Sequence, residues 1–124
     1  MKKSHQEKKV WGFVYHAFDD DNCAVSVLHT QAGGYCSRHT HTERINRFLV
    51  VSGCIDVVRY SDDGSKEISR TSLKEGDIED VGAGVVHSFE VVEPGVVVEV
   101  YSPAFNGAKV RLDDINRLKL GGSR

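Results

Sequence analysis

The chain has 124 residues, which corresponds to a single domain over residues 1–124. With 16 Lys and Arg against 18 Asp and Glu, the formal charge is −2, so the composition gives no reason to expect binding to nucleic acid or to an anionic membrane. No apolar run is long enough to span a bilayer, and no apolar segment follows the basic start to form a signal peptide. We therefore expect a cytoplasmic protein whose 3 cysteines are reduced.

Strand patterns dominate the chain from its start. Short β-branched or alternating runs predict strands over 10–18, 23–30, 48–51, 54–60, 66–71, 85–92 and 96–101. Turns rich in Gly, Asp and Pro separate them, and Ser61-Asp62-Asp63-Gly64 is typical of a hairpin. This spacing favours an all-β antiparallel sandwich or barrel over a fold with alternating strands and helices.

The two ends of the chain are expected to differ from this pattern. Asp113 or Asp114 could cap a short helical turn that runs to Leu118. Residues 1–8 and 120–124 are rich in Lys or Gly, and we expect both segments to be flexible.

The stretch 33–53 contains two histidines, His39 and His41, that are separated by one residue. Side chains two apart on a strand point to the same face, so both imidazoles can bind one metal ion. A third histidine, His87, follows a second glycine turn at 82–84. This spacing predicts a metal site. The other three histidines, His5, His16 and His29, lack such a context and are expected to be ordinary residues. Cys36, just before the pair, can face the site or simply fill space in the strand.

These two glycine-flanked segments resemble the paired motifs of the cupin superfamily. The resemblance implies a double-stranded β-helix, that is, a jelly-roll barrel, with ligands at His39, His41, position 46 and His87. Asn46 stands where the family usually has Glu. Because the Asn carbonyl oxygen is neutral, affinity for Mn²⁺ should fall, while Zn²⁺, Ni²⁺, Cu²⁺ or Fe²⁺ would fit the imidazoles.

Glu43 is the rival fourth ligand. It continues the alternation 39, 41, 43 and would share a face with both histidines on a straight strand. The resemblance places a turn at that point instead, which favours Asn46.

Segments 9–12, 48–53 and 112–117 are similar to those of type II phosphomannose isomerase cupins. Those enzymes interconvert mannose 6-phosphate and fructose 6-phosphate with a metal and a proton transfer between adjacent carbons. The implied general base is Glu43, Glu99 or Tyr101; the last two lie two apart on one strand and share a face. Arginine pairs well with phosphate, so the candidate substrate contacts are Arg38 and Arg47, with Arg44 and Arg111 as further possibilities.

The first functional hypothesis is accordingly a metal-dependent isomerase or epimerase acting on a small polar substrate such as a sugar or sugar phosphate. Two alternatives stay open. A three-His iron site without Glu resembles the thiol dioxygenases, and a non-enzymatic sugar sensor or storage cupin would use the metal as an anchor. A homodimer is also expected, with Trp11 and Phe13 of the first predicted strand in the contact.

Overall fold

The computed structural model describes residues 1–20, 22–102, 109–111 and 122–123, the last two ranges as backbone strands. Its strands pair antiparallel throughout, and the described residues contain no helix. The described part of the chain therefore holds no helix with the length and hydropathy of a membrane crossing. The strands are β1 (His5–Lys9), β2 (Gly12–Asp19), β3 (Ala24–Thr30), β4 (Gly34–Tyr35), β5 (His39–His41), β6 (Ile45–Tyr60), β7 (Glu67–Lys74), β8 (Ile78–Val81), β9 (His87–Ser102), β10 (Lys109–Arg111) and β11 (Gly122–Ser123).

Two long strands, β6 and β9, organise the fold. Each has 16 residues, and they pair with each other from Ile45↔Ser102 to Arg59↔His87. The first part of β6 also pairs with β8, and its second part pairs with β7. The second part of β9 continues through β3 and β2 to β1, while its first part contacts β4 and β5. The two layers therefore share both long strands, which is the double-stranded β-helix that the sequence predicted.

Glycines allow these strands to bend where they cross from one layer to the other. Gly53 has a φ of +79°, and a Cβ there would lie 2.6 Å from the Pro94 oxygen. A Cβ on Gly95 would lie 2.1 Å from the Ser52 oxygen. The register shifts around Ser52 are the resulting bulges. The sequence predicted a turn at Gly95 and a break between two strands at Gly53, but each pair of predicted strands is one continuous strand.

The core lies between the inner faces of the two layers. Val14, Leu28 and Phe48 from one layer belong to the same buried cluster as Val57 and Phe89 from the other. Alternation explains the pattern, because every second residue of a strand points inward.

Trp11 corrects one expectation. It is only 7% exposed and packs edge-on against Phe89, with ring centroids 5.2 Å apart, so it belongs to the core and not to a surface contact. Phe13 does lie on the outer face, where its ring stacks on His29 at 4.6 Å.

The remaining predictions have mixed outcomes. The hairpin between β6 and β7 is confirmed, with the Gly64 amide donating to the Ser61 oxygen at 2.8 Å. Residues 5–8 lie in a segment that was expected to be flexible, but they belong to β1 and pair with β2, and residues 122–123 pair with β4. The predicted helical turn at 113–118 lies outside the described residues.

Candidate metal centre

Three histidines meet inside the barrel. His39 and His41 are the two ends of β5 and are both buried, with Thr40 on the opposite face. His87 begins β9 and is aligned directly with His39. Each of the three rings offers one nitrogen, and these nitrogens all lie within 4.8 Å of one another. The structure therefore brings together the three histidines that the sequence singled out.

Backbone carbonyls orient two of the rings. His39 Nδ1 lies 2.7 Å from the Ser37 oxygen, and His87 Nδ1 lies 2.9 Å from the Val85 oxygen. A carbonyl oxygen only accepts, so each Nδ1 carries a proton and donates it. This leaves Nε2 as the metal-binding nitrogen, and such a contact is the usual second partner of a ligating histidine.

His41 is held differently. Its Nδ1 accepts a hydrogen bond from Arg44 Nε at 3.3 Å. The neutral ring in this arrangement carries its proton on Nε2. Metal binding through Nε2 would require that proton to move to Nδ1, where it would displace the Arg44 donor.

Asn46 is completely buried, at 0% exposure, and bridges two functional groups. Its Oδ1 lies 2.9 Å from His87 Nε2, and its Nδ2 donates to Glu99 Oε2 at 3.2 Å. The carboxylate fixes the amide orientation, because a carboxylate accepts and the amide oxygen would be repelled there. His87 Nε2 faces the amide oxygen of Asn46, and a metal ion at Nε2 would take the place of this contact.

Glu43 lies outside this group. It is exposed in the bend that follows β5, because the strand ends at His41 and the alternation stops with it. Of the two predicted fourth ligands, only Asn46 contacts one of the three histidines.

A cavity of about 310 Å³ opens beside the histidines. His39 reaches its wall, whereas His41 and His87 lie deeper, at 2% and 1% exposure. Glu99 and Tyr101 both line the cavity, as their shared strand face predicted. The other wall is largely apolar and includes Trp11, Val14, Leu28 and Phe89, with Cys36 also in the lining.

Tyr101 sits at the centre of the polar wall. Its ring is 4.9 Å from that of His41, and the Arg44 guanidinium carbon lies 4.0 Å from its centroid. Burial raises the pKa of Tyr101 well above its usual range, and the charge of Glu99 raises it further. Tyr101 therefore stays protonated at neutral pH and can donate a hydrogen bond.

The structure places the two predicted arginine contacts away from the cavity lining. Arg38 Nη1 donates to the Gly64 oxygen at 2.8 Å, and Arg47 pairs with Asp80 at 3.3 Å; neither lines the cavity. Arg44 does line it. The same alternation could have identified it, because position 44 shares the parity of the inward-facing Asn46 and position 47 does not.

The donor set fits a divalent transition metal. Three imidazoles that converge in a buried pocket, two of them oriented by carbonyls, suit Zn²⁺, Ni²⁺, Cu²⁺ or Fe²⁺. His39, His41 and His87 would hold the ion, and the neutral side-chain oxygen of Asn46 lies 2.9 Å from His87 Nε2.

The fold and the histidine centre together define a small β-barrel protein with an interior metal site. The chain belongs to the cupin family, whose model matches residues 16–118.

Solved structures share this fold. An uncharacterized conserved protein with a double-stranded β-helix domain from Klebsiella pneumoniae is similar at 24% identity and a TM-score of 0.67, covering 78% of this chain and 80% of that one. A mutant of Bacillus subtilis oxalate decarboxylase gives 17% identity and a TM-score of 0.75, covering 90% of this chain but 31% of that one, so the chain spans about a third of the enzyme. KdgF from Halomonas sp. gives 17% identity and a TM-score of 0.63, covering 73% and 79%. A comparison with curated proteins gave no match.

Proposed function

We propose that the protein is a metal-dependent enzyme that moves a proton between adjacent carbons of a small polar substrate, as in the isomerisation or epimerisation of a sugar. The observation that carries the proposal is the placement of a carboxylate and a phenol in the cavity wall beside the histidine centre.

Glu99 is suited to be the general base. The Asn46 amide and the Tyr101 hydroxyl both hydrogen-bond its carboxylate, so the group has a fixed position in the cavity. A carboxylate in this position can remove the proton from a carbon next to a carbonyl and return it to the neighbouring carbon.

Tyr101 is suited to be the proton donor. Because its pKa is raised, its hydroxyl keeps its proton, and it could turn from Glu99 to donate to a substrate oxygen on which negative charge develops. Glu99 and Tyr101 lie two residues apart on β9 and therefore point to the same face of this strand.

A divalent ion at the three histidines would act as a Lewis acid on the substrate oxygens. Among the described residues the ligand group consists of three histidines without a carboxylate, so the ion would keep most of its positive charge. A site of this kind leaves coordination positions open to substrate.

The three-histidine ligand set also favours a second candidate, a dioxygenase-like cupin with iron. The group of ligand nitrogens contains three histidines and no carboxylate, which is the ligand set of that alternative. The two candidates differ in what they consume, because one exchanges hydrogen with solvent and the other takes up O₂.

The test begins with elemental analysis of the full chain purified without a His tag, together with His87→Ala and Asn46→Glu. We expect metal in the parent and none in His87→Ala. The metal-loaded parent is then incubated in D₂O with a panel of aldoses, ketoses and their phosphates. Deuterium at the carbon next to the carbonyl supports the isomerase, and O₂ uptake with bound iron supports the dioxygenase. Ligand binding without either reaction would overturn both and indicate a sensor, and absence of metal from parent and Asn46→Glu alike would contradict the metal site.

A further inference from the structure

Arg44, a cation of the cavity wall, has no acidic partner among the described residues. Arg44 precedes β6 and is half-buried, with its Nε bound to His41 Nδ1 and its guanidinium carbon 4.0 Å from the Tyr101 ring centroid. Within the part of the chain that the structure describes, no carboxylate lies within ion-pair distance of it. The terminal nitrogens are thus held in place and keep their donors for another group.

The other arginines with described side chains are all committed to protein oxygens. Arg38 donates to a backbone carbonyl, and Arg47 pairs with Asp80. Arg59 binds Glu79 and a backbone oxygen, and Arg70 contacts three carboxylates. Arg44 differs from these because its contacts are an imidazole nitrogen and an aromatic face, and neither is an oxygen acceptor. Removing a guanidinium partly from water without an anion is costly, so a position of this kind points to an anion that comes from outside the protein.

Two other charged residues of the cavity wall, Lys9 and Glu99, already have protein partners, which leaves Arg44 to bind an external anion. Lys9, the other basic residue of the cavity wall, already pairs with Glu7. Glu99 is occupied by Asn46 and the Tyr101 hydroxyl. Arg44 contacts the ring of the same Tyr101 whose hydroxyl contacts Glu99, the proposed base. The cation and the base therefore contact different parts of one side chain.

We propose that Arg44 binds an oxyanion of the substrate, either a carboxylate or a phosphate, through its terminal nitrogens. This assignment rests on the proposed function, and it narrows the class of substrate from small polar molecules to small anionic ones. His41 lies between the two parts of the site, with one nitrogen toward the histidine centre and the other at Arg44. In the metal-free protein the His41 ring separates Arg44 from the other two histidines, which favours a short substrate. The planar guanidinium suits two parallel hydrogen bonds to either kind of oxyanion.

The experiment is calorimetric titration of the full-length, metal-free protein with inorganic phosphate and, separately, with malonate. Arg44→Gln removes the charge, Arg44→Lys keeps the charge without the fork, and Arg47→Gln is the matched control on the outer surface. We expect one anion per parent chain, roughly 10- to 100-fold weaker binding in Arg44→Gln, and an intermediate loss in Arg44→Lys, because charge-assisted hydrogen bonds are worth about 1.5–3 kcal/mol. Arg47→Gln should bind within about twofold of the parent, since its ion pair lies at the surface. Preference for phosphate or for malonate identifies the class of anion.

Thermal unfolding of each variant shows that it is folded, and Arg44→Lys keeps the test decisive if Arg44→Gln is not. The inference is overturned if the parent binds neither anion or if the Arg44 variants bind as the parent does. Because the titration uses metal-free protein and no turnover, its failure is separate from that of the proposed function. Deuterium exchange without anion binding would reject only the role of Arg44, and anion binding without exchange would reject only the isomerase.

Discussion

Two polar clusters in this barrel, one interior and one exterior, are built for different purposes. The interior cluster comprises His39, His41, Asn46, His87 and Glu99. The exterior cluster, on the outer face of the second layer, comprises Arg70, Asp56, Glu67, Ser72 and Glu90. In the exterior cluster the Arg70 guanidinium contacts three carboxylates at 2.7–3.1 Å. The Ser72 hydroxyl donates a further hydrogen bond to the Asp56 carboxylate.

The difference lies in where the groups point. The exterior network closes on itself, since its cation is surrounded by acids of the same chain. The interior rings converge on one point beside a cavity of about 310 Å³. Convergence of donors together with access for a small molecule is what distinguishes a candidate site from a structural network.

The largest expected effect concerns metal binding at the interior cluster. Zn²⁺ in about 1,000-fold excess over its dissociation constant should raise the free energy of unfolding by about 4 kcal/mol. His87→Ala should lose this increment, because one of three converging nitrogens is removed. Chemical denaturation with Zn²⁺ or EDTA measures it.

His29→Ala is the matched control, since this half-buried histidine stacks on Phe13 at the outer face. It should keep the full increment. Equal loss in both variants would mean that Zn²⁺ acts through surface histidines.

The next effect concerns catalysis. Glu99→Gln should lower the rate of deuterium exchange by roughly 10²- to 10⁴-fold, the usual contribution of a general base. Metal content should be unchanged, because Glu99 is outside the three-histidine group. The exposed Glu75→Gln serves as control, and equal rates in all three proteins would exclude Glu99 as the base.

Asn46→Leu tests how much the buried bridge contributes to stability. The change leaves His87 and Glu99 without their shared partner, which should cost about 1–3 kcal/mol in the metal-free protein. Urea denaturation in EDTA measures the cost. An unchanged midpoint would show that neither hydrogen bond forms in solution.

The exterior cluster should give the smallest effect. Arg70→Met removes a side chain that is 36% exposed, and exposed ion pairs contribute about 0–1 kcal/mol. Metal content and exchange rate should match those of the parent. A larger loss than that of Asn46→Leu would reverse the ranking of the two clusters.

Much of the fold and site could be predicted from the sequence wherever side chains alternate between the two faces of a strand. Alternation placed His39 with His41 and Glu99 with Tyr101, and each pair shares its face in the structure. Motif spacing brought His87 to them although it lies on a different strand.

What could not be predicted depends on contacts between distant segments. Gly95 was expected in a turn and Gly53 between two separate strands, but both are bends inside long strands, each allowing the opposite backbone to approach. Arg38 and Arg47 were expected at the substrate, yet their acceptors, the Gly64 oxygen and Asp80, are defined only by the folded register.

The central claim is that three imidazoles bind one metal ion, and pulsed EPR of the Cu²⁺-loaded protein tests it most directly. The account predicts nitrogen couplings from three imidazoles in the parent and from two in each of His39→Ala, His41→Ala and His87→Ala. Couplings that stay the same in all three variants would contradict it.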